Sequence, residues 1–152
     1  MRRQDKEITE FAEIVKIAQK CDWITIGMND EPVPYLVPVS FGAEVIDGKL
    51  VLYFHGAQAG RKFELMEKDP AVFVVGSVFN GYRETERGSL SSRYESFMAQ
   101  GKVERLYDDE AQRALDVLTV HCGFTTRPCP DHVLPKTAVY RLVCENLTGK
   151  RD

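Results

Sequence analysis

Two adjacent cations, Arg61 and Lys62, follow a run of small residues, His55-Gly56-Ala57-Gln58-Ala59-Gly60, and precede Phe63-Glu64-Leu65-Met66. These types in this order suit the binding of a phosphate. A helix beginning after Gly60 turns unbonded N–H groups and the positive end of its dipole towards the connection, and the two side chains add charge. The same residues also describe an ordinary strand-to-helix turn with a solvated Arg-Lys pair, and spacing alone does not choose between the two. His55 ends the apolar run before the turn, where its ring can donate or accept a hydrogen bond.

The segment Pro34-Tyr-Leu-Val-Pro-Val-Ser-Phe41 offers a different chemistry. A proline removes a donor from a sheet ladder, so it belongs on an edge or beside a gap. Pro34 and Pro38 share parity, which puts both missing donors on one edge of an extended strand. Neighbouring backbone groups are then free to meet a planar heteroaromatic ring with imide-like edges, and Ser40 adds a hydroxyl. A plain edge strand guarded against aggregation is the alternative. His121, Cys122, Cys129 and His132 have the ligand types of zinc, but their spacing matches neither paired C-x2-C pattern, and no metal is expected. The chain contains no G-x-S-x-G, H-E-x-x-H, Walker or G-x-G-x-x-G motif. Any redox or group-transfer chemistry would therefore belong to a bound cofactor.

These groups need a scaffold to hold them. Asp5 is a candidate cap for a first helix running to about Lys20, striped by Ile8, Phe11, Ala12, Val15 and Ala18. Strands are expected over Trp23 to Met28, Val33 to Val45 and Leu50 to Phe54, the last two joined by an Asp47-Gly48 hairpin. A second helix should stop at Asp69-Pro70. Ala71 to Phe79 reads as a central strand covered on both faces, followed by a polar loop from Asn80-Gly81 to about Ser92. Arg93 to Leu106 is extended, with Gly101 marking a bulge or a close backbone approach. Asp108 is the expected N-cap of a third helix reaching about His121. Gly123 to Lys136 is a loop, and Thr137 to Leu147 a last strand before a polar tail. Strands outnumber helices and do not alternate with them, which favours an antiparallel barrel with helices outside it.

With 152 residues the chain is expected to form a single domain, residues 1–152. A net charge of −3 argues against a general nucleic-acid or anionic-membrane binder. No apolar run approaches the roughly 20 residues of a membrane span, and no signal-peptide h-region follows the N-terminal charges. The four scattered cysteines are expected to be reduced thiols in a cytoplasmic protein.

Five segments in order resemble one family: Met1–Glu10, Val33–Gly42, Leu52–Lys62, Arg93–Glu104 and Leu147–Arg151. Together they resemble the pyridoxamine 5′-phosphate oxidase-like FMN-binding split barrels, and within them the nitroimidazole-resistance (Nim) branch. The resemblance implies a mainly β fold, a six-stranded antiparallel split barrel with flanking helices. It also implies a homodimer with FMN in clefts at the dimer interface. Arg61 and Lys62 fall where the family holds the FMN phosphate, with His55 and Ala57 in the adjoining turn. Pro38, Val39 and Ser40 lie along the isoalloxazine, and Tyr94 and Ser96 begin the strand that supplies further ring or ribityl contacts.

The chain ends soon after Lys150, without the C-terminal extension of true pyridoxamine phosphate oxidases, so vitamin B6 oxidation is not expected. The implied activity is a flavin-dependent oxidoreductase passing electrons from a donor such as NAD(P)H to a small, electron-poor, nitroaromatic-like acceptor. Two alternatives stay open: a non-catalytic flavin store or electron carrier, and a haem protein on the same fold. No catalytic side chain is assigned, though His55 could act as a donor near a substrate.

Overall fold

The computed structural model describes residues 3–126, 128–130 and 132–152. Nine strands and three α-helices are formed among them: β1 (Glu7–Ile8), α1 (Phe11–Lys20), β2 (Ile24–Met28), β3 (Tyr35–Val39), β4 (Phe41–Ile46), β5 (Lys49–Ala57), α2 (Arg61–Lys68), β6 (Ala71–Glu84), β7 (Leu90–Leu106), α3 (Asp108–His121), β8 (Thr137–Val143) and β9 (Glu145–Arg151).

Every strand pairing is antiparallel, and the sheet runs β3-β2-β6-β7-β8-β5-β4. Its two end strands, β3 and β4, are consecutive in the chain and separated by Ser40 alone. Taken as one bent strand, they complete a ring of six with β2, β6, β7, β8 and β5. This is the split barrel, and Ser40 lies at its split. The main core fills the ring with Ile24, Ile26, Phe41, Leu50, Leu52, Phe54, Val74, Phe97, Tyr140 and Leu142. α1 adds Ile14, Val15, Ile17 and Ala18 from its apolar stripe. A smaller cluster, Val51, Tyr53, Leu106, Ala111, Ala114 and Val139, lies under α3. Hence β5 is apolar without alternation over Leu50–Phe54, because one parity faces the barrel and the other faces the helix. The close approach of α3 needs Gly42: a Cβ there would sit 2.6 Å from the backbone nitrogen of Leu118.

Several expected boundaries moved, each for a tertiary reason. Asp5 does not cap α1. It lies in a 3-10 turn and binds Arg3 at 2.8 Å, while Glu7 and Ile8 are drawn into pairing with Lys150 and Gly149. Thr137 to Leu147 is not one strand: β8 stops at Val143, and Glu145 to Leu147 join the supposed polar tail in β9, held by that pairing and by β7. Val33 to Val45 is two strands rather than one, and Pro34 lies before the first of them. The Asn80-Gly81 dipeptide is a bulge, not a loop start: β6 continues to Glu84 and the polar turn shrinks to the residues before Leu90. Asp108 is the first helical residue of α3, at φ 47°, and Tyr107 occupies the cap. The close backbone approach expected at Gly101 is present, since a Cβ would meet the Val143 carbonyl oxygen at 2.6 Å.

β6 is central, as expected, but covered on one face only. Phe73 is 46% exposed and Phe79 60%, and Leu36 of β3 is 61% exposed. Leu36, Gly27, Phe73 and Gln100 form one row across β3, β2, β6 and β7, and Pro38, Thr25, Val75 and Met98 the next. The outer face of this half of the sheet is therefore an open apolar surface. No helix among the described residues is long and apolar enough to cross a membrane.

The four cysteines are unpaired thiols. Burial pushes the Cys21 thiol up to about 11 and the Cys144 thiol to about 12, whereas Cys122 is exposed. Iodoacetamide at pH 8, read by peptide mass spectrometry, should modify Cys122 first and Cys21 and Cys144 last in the native protein. Equal labelling of all three would contradict this packing.

Candidate functional site

The site is built where the split meets the end of β5. Phe41 pairs with Phe54, which brings Ser40 level with His55 as the chain enters β4. β5 continues through Gly56 and Ala57, paired with Ala138 and Thr137 of β8. Gln58 leaves the strand and donates its amide to the Pro135 carbonyl at 2.7 Å, pinning the connection. Gly60, at φ 96° and ψ 170°, turns the chain into α2 and offers no capping side chain. The N–H groups at the start of α2 are therefore left open to an anion.

The two cations separate at this point. Lys62 folds back over the turn, and its ammonium donates to the His55 carbonyl oxygen at 3.3 Å. It has room to do so because residue 56 is glycine, where a Cβ would sit 2.7 Å from the Lys62 nitrogen. Lys62 has no carboxylate partner among the described residues, and burial lowers its pKa. A half-buried ammonium with one weak acceptor is poised to take an anion. Arg61 points the other way and forms a two-pronged ion pair with Asp30 in the β2–β3 turn, Nε to Oδ2 at 3.0 Å. Asn29 of the same turn donates to Asp69 at 2.9 Å, beyond the other end of α2. The turn thus braces the helix at both ends.

His55 stands two residues before the end of β5, and its pKa is lowered from the ordinary value, first by burial of the ring and second by the Lys62 ammonium. The ring is consequently neutral at pH 7. In the free protein an NMR titration of His55 should give a midpoint below 6.5, and inorganic phosphate in the turn should move it upward by favouring the imidazolium. A midpoint indifferent to phosphate would mean that no anion sits beside this ring.

Pro38, Val39 and Ser40 line one shallow depression, the register sets Ser40 level with His55, and Lys62 lies over the His55 carbonyl with Arg61 alongside in its Asp30 pair. Among the described residues β3 pairs with β2 alone, which leaves its far edge open beside Pro38 and Ser40. Tyr94 and Ser96 are not part of this group. They pair with Phe79 and Ser77, further along the open outer face. Reaching Ser96 from Pro38 means crossing three inter-strand spacings, roughly 15 Å. Lys150 lies 5.1 Å over the Tyr94 ring, and the Asp152 N–H donates to the Tyr94 carbonyl at 3.0 Å. His121 is occupied elsewhere: its Nε2 lies 2.9 Å from the Cys21 carbonyl oxygen and its ring 4.4 Å from that of Phe41.

Sequence reasoning passed over Asp30, Gly56 and Gln58. Asp30 reads only as a turn residue, and nothing local ties it to a partner 31 positions later. Gly56 did carry a signal, because a glycine next to a future anion site leaves space for a returning side chain.

Residues 11–151 match the family model described as pyridoxamine 5′-phosphate oxidase. Among solved structures, the chain is 30% identical, at a TM-score of 0.83, to a candidate 5-nitroimidazole antibiotic resistance protein of Bacteroides thetaiotaomicron, covering 95% of this chain and 85% of that one. An FAD and heme binding protein of Mycobacterium smegmatis is 22% identical at a TM-score of 0.81, over 97% of this chain and 73% of that one. The flavocytochrome Anf3 of Azotobacter vinelandii is 21% identical at a TM-score of 0.77, over 100% and 72%. The last two establish likeness of fold only. A comparison with curated protein sequences gave no match.

Proposed function

The chain belongs to the pyridoxamine 5′-phosphate oxidase family, and on that footing we propose that it is a flavoprotein whose flavin is FMN. The observation that carries the reading is Lys62: a half-buried ammonium without a carboxylate partner among the described residues, lying over a Gly56 backbone that leaves it room, beside an uncapped helix start. The fit extends to the ring, since the open edge of β3 at Pro38 to Ser40 faces no other strand. Bound there, the isoalloxazine would supply two-electron chemistry.

The protein's own residues bind and orient. Lys62 and the first N–H groups of α2 hold the phosphate, with Arg61 added when it reaches past Asp30. Pro38, Val39 and Ser40 line the ring, and the Ser40 hydroxyl is available to hydrogen-bond its polar edge. Neutral His55 and Ala57 border the phosphate end. The working partner is a second copy of the chain, packed on the apolar outer face that carries Leu36, Phe73 and Phe79. Tyr94 and Ser96 lie on that same face and complete the cleft of the opposite protomer. Electrons come from a reduced donor such as NAD(P)H and pass to a small electron-poor acceptor of the nitroaromatic kind, in the cytoplasm, where free thiols such as Cys122 persist. The likeness to a candidate 5-nitroimidazole resistance protein supports that acceptor class.

Purification followed by a visible spectrum and mass identification of the co-purifying ligand tests this. FMN bands are expected. A haem Soret band, or colourless protein that takes up no FMN, would overturn the reading. Stopped-flow mixing with NADH or NADPH then separates an enzyme from a passive carrier.

A further inference from the structure

Beyond the phosphate turn, where Gln58 reaches Pro135, a cavity of about 310 Å3 lies at the start of α3. Arg105, Tyr107 and Asp108 line it where β7 passes into α3, and Leu134 and Pro135 line it from the 3-10 turn before β8. None of its lining residues is assigned to the flavin, and none lies on β3, β2 or β6. The Arg105 guanidinium lies 5.3 Å from the centre of the Phe63 ring and 5.2 Å from that of Tyr107, with 21% of the side chain exposed. Stacking engages a guanidinium through its faces and leaves the N–H donors at its edge. The Glu67 carboxylate comes no nearer than 3.9 Å, beyond hydrogen-bond reach, and among the described residues the guanidinium makes no hydrogen bond. Tyr140, level with Arg105 in the ladder, carries the one buried side-chain oxygen left without a partner among the described residues. Hydrogen bonds are thus left unmade on both sides of this pair.

We infer that this cavity receives the adenosine-diphosphate end of the reduced nicotinamide donor, Arg105 holding the pyrophosphate and Asp108 the ribose diol, so that NADH is preferred to NADPH. The inference rests on the flavin reading above, which requires such a donor. Charge selects this occupant. A planar guanidinium takes phosphate oxygens in a two-pronged fashion. The Asp108 carboxylate accepts from ribose hydroxyls and repels a 2′-phosphate. Asp109 and Glu110, exposed in the same first turn of α3, add to that repulsion. The exposed Tyr107 ring offers the adenine a surface to stack on. Distance selects it as well. Ser40, His55, Val139 and Leu106 lie level on successive strands, so the cavity stands three inter-strand spacings, roughly 15 Å, from the split. A dinucleotide spans that gap with its nicotinamide at the flavin ring, and a single nucleotide does not.

ADP-ribose carries that end of the donor without the nicotinamide and is the probe. Isothermal titration into the FMN-loaded protein should show binding, weaker for 2′-phospho-ADP-ribose, and ADP-ribose should compete with NADH in stopped-flow reduction. Arg105→Ala should weaken ADP-ribose binding by about 10- to 150-fold, the scale of a charged hydrogen bond, with FMN affinity changed less than about twofold. Arg105→Lys should recover only part of the loss, since an ammonium lacks the fork. Asp108→Asn, a change at an exposed position, should narrow the preference for NADH over NADPH. Wild-type protein that binds no ADP-ribose would overturn the inference, as would equal affinity in Arg105→Ala or a wild-type preference for NADPH. FMN affinity falling in step with ADP-ribose affinity would also overturn it, as would FAD binding more tightly than FMN through Arg105, because the cavity would then serve the flavin. Protein that takes up no FMN yet binds ADP-ribose through Arg105 would keep the cavity and sink the flavin reading, so the two fail separately.

Discussion

Lys62→Ala should weaken FMN binding by about 1.5–3 kcal/mol, roughly 10- to 150-fold in Kd, the scale of a charge-assisted hydrogen bond. The argument is one of desolvation already incurred. In the free protein the ammonium is half-buried with its pKa lowered, and its single acceptor is the His55 carbonyl at 3.3 Å. An arriving phosphate therefore strips less water from it than from a fully solvated lysine. Arg61→Ala should weaken binding less, because that guanidinium is already satisfied by Asp30 and must share or leave its partner to reach the ligand. Lys62→Arg should recover only part of the loss, since a larger head must fit against Gly56 where a Cβ would already lie 2.7 Å from the Lys62 nitrogen. Isothermal titration of FMN-stripped protein checks all three. An affinity unchanged in Lys62→Ala would place the phosphate elsewhere, and a larger loss in Arg61→Ala would mean that the Asp30 pair opens on binding.

Phe41→Ala should destabilise the fold by about 3–5 kcal/mol, as expected for deleting a fully buried ring. Phe41 is 0% exposed, pairs with Phe54 across β4 and β5, and lies 4.4 Å from the His121 ring. It is the first residue after the split at Ser40. Its ring therefore does two things at once: it fills the main core, and it fixes the point at which the bent strand re-enters the barrel. Urea denaturation followed by circular dichroism is the measurement, with the midpoint expected to fall at little change in slope. A loss below about 1 kcal/mol would mean that the core closes around the gap and that Ser40 is positioned by something other than Phe41.

Elements whose cause lies within a few residues were legible in the order of amino acids alone. The Asp47-Gly48 hairpin formed as read, with both residues at positive φ, because that turn demands residues that tolerate it. α2 ended before Asp69-Pro70 because proline disfavours a helical predecessor. The close approach at Gly101 was legible for the same kind of reason, and so was the antiparallel barrel, from the excess of strands over helices and from the family likeness.

Features that rest on partners distant in the chain emerged only once the strands and helices had packed. Asp5 failed as a cap because Glu7 and Ile8 found Lys150 and Gly149, a pairing no local propensity encodes. The polar tail became β9 for the same reason. β6 looked buried on both faces because apolar runs carry no mark of which parity is covered; Phe73 and Phe79 turned out to be open. The candidate site divides in the same way. Small residues, a helix start and two cations announced an anion site, since helix ends and charge act within a few residues of sequence. The different tasks of those cations depended on Asp30 and on the space above Gly56, which exist only once β2, β5 and α2 have packed together.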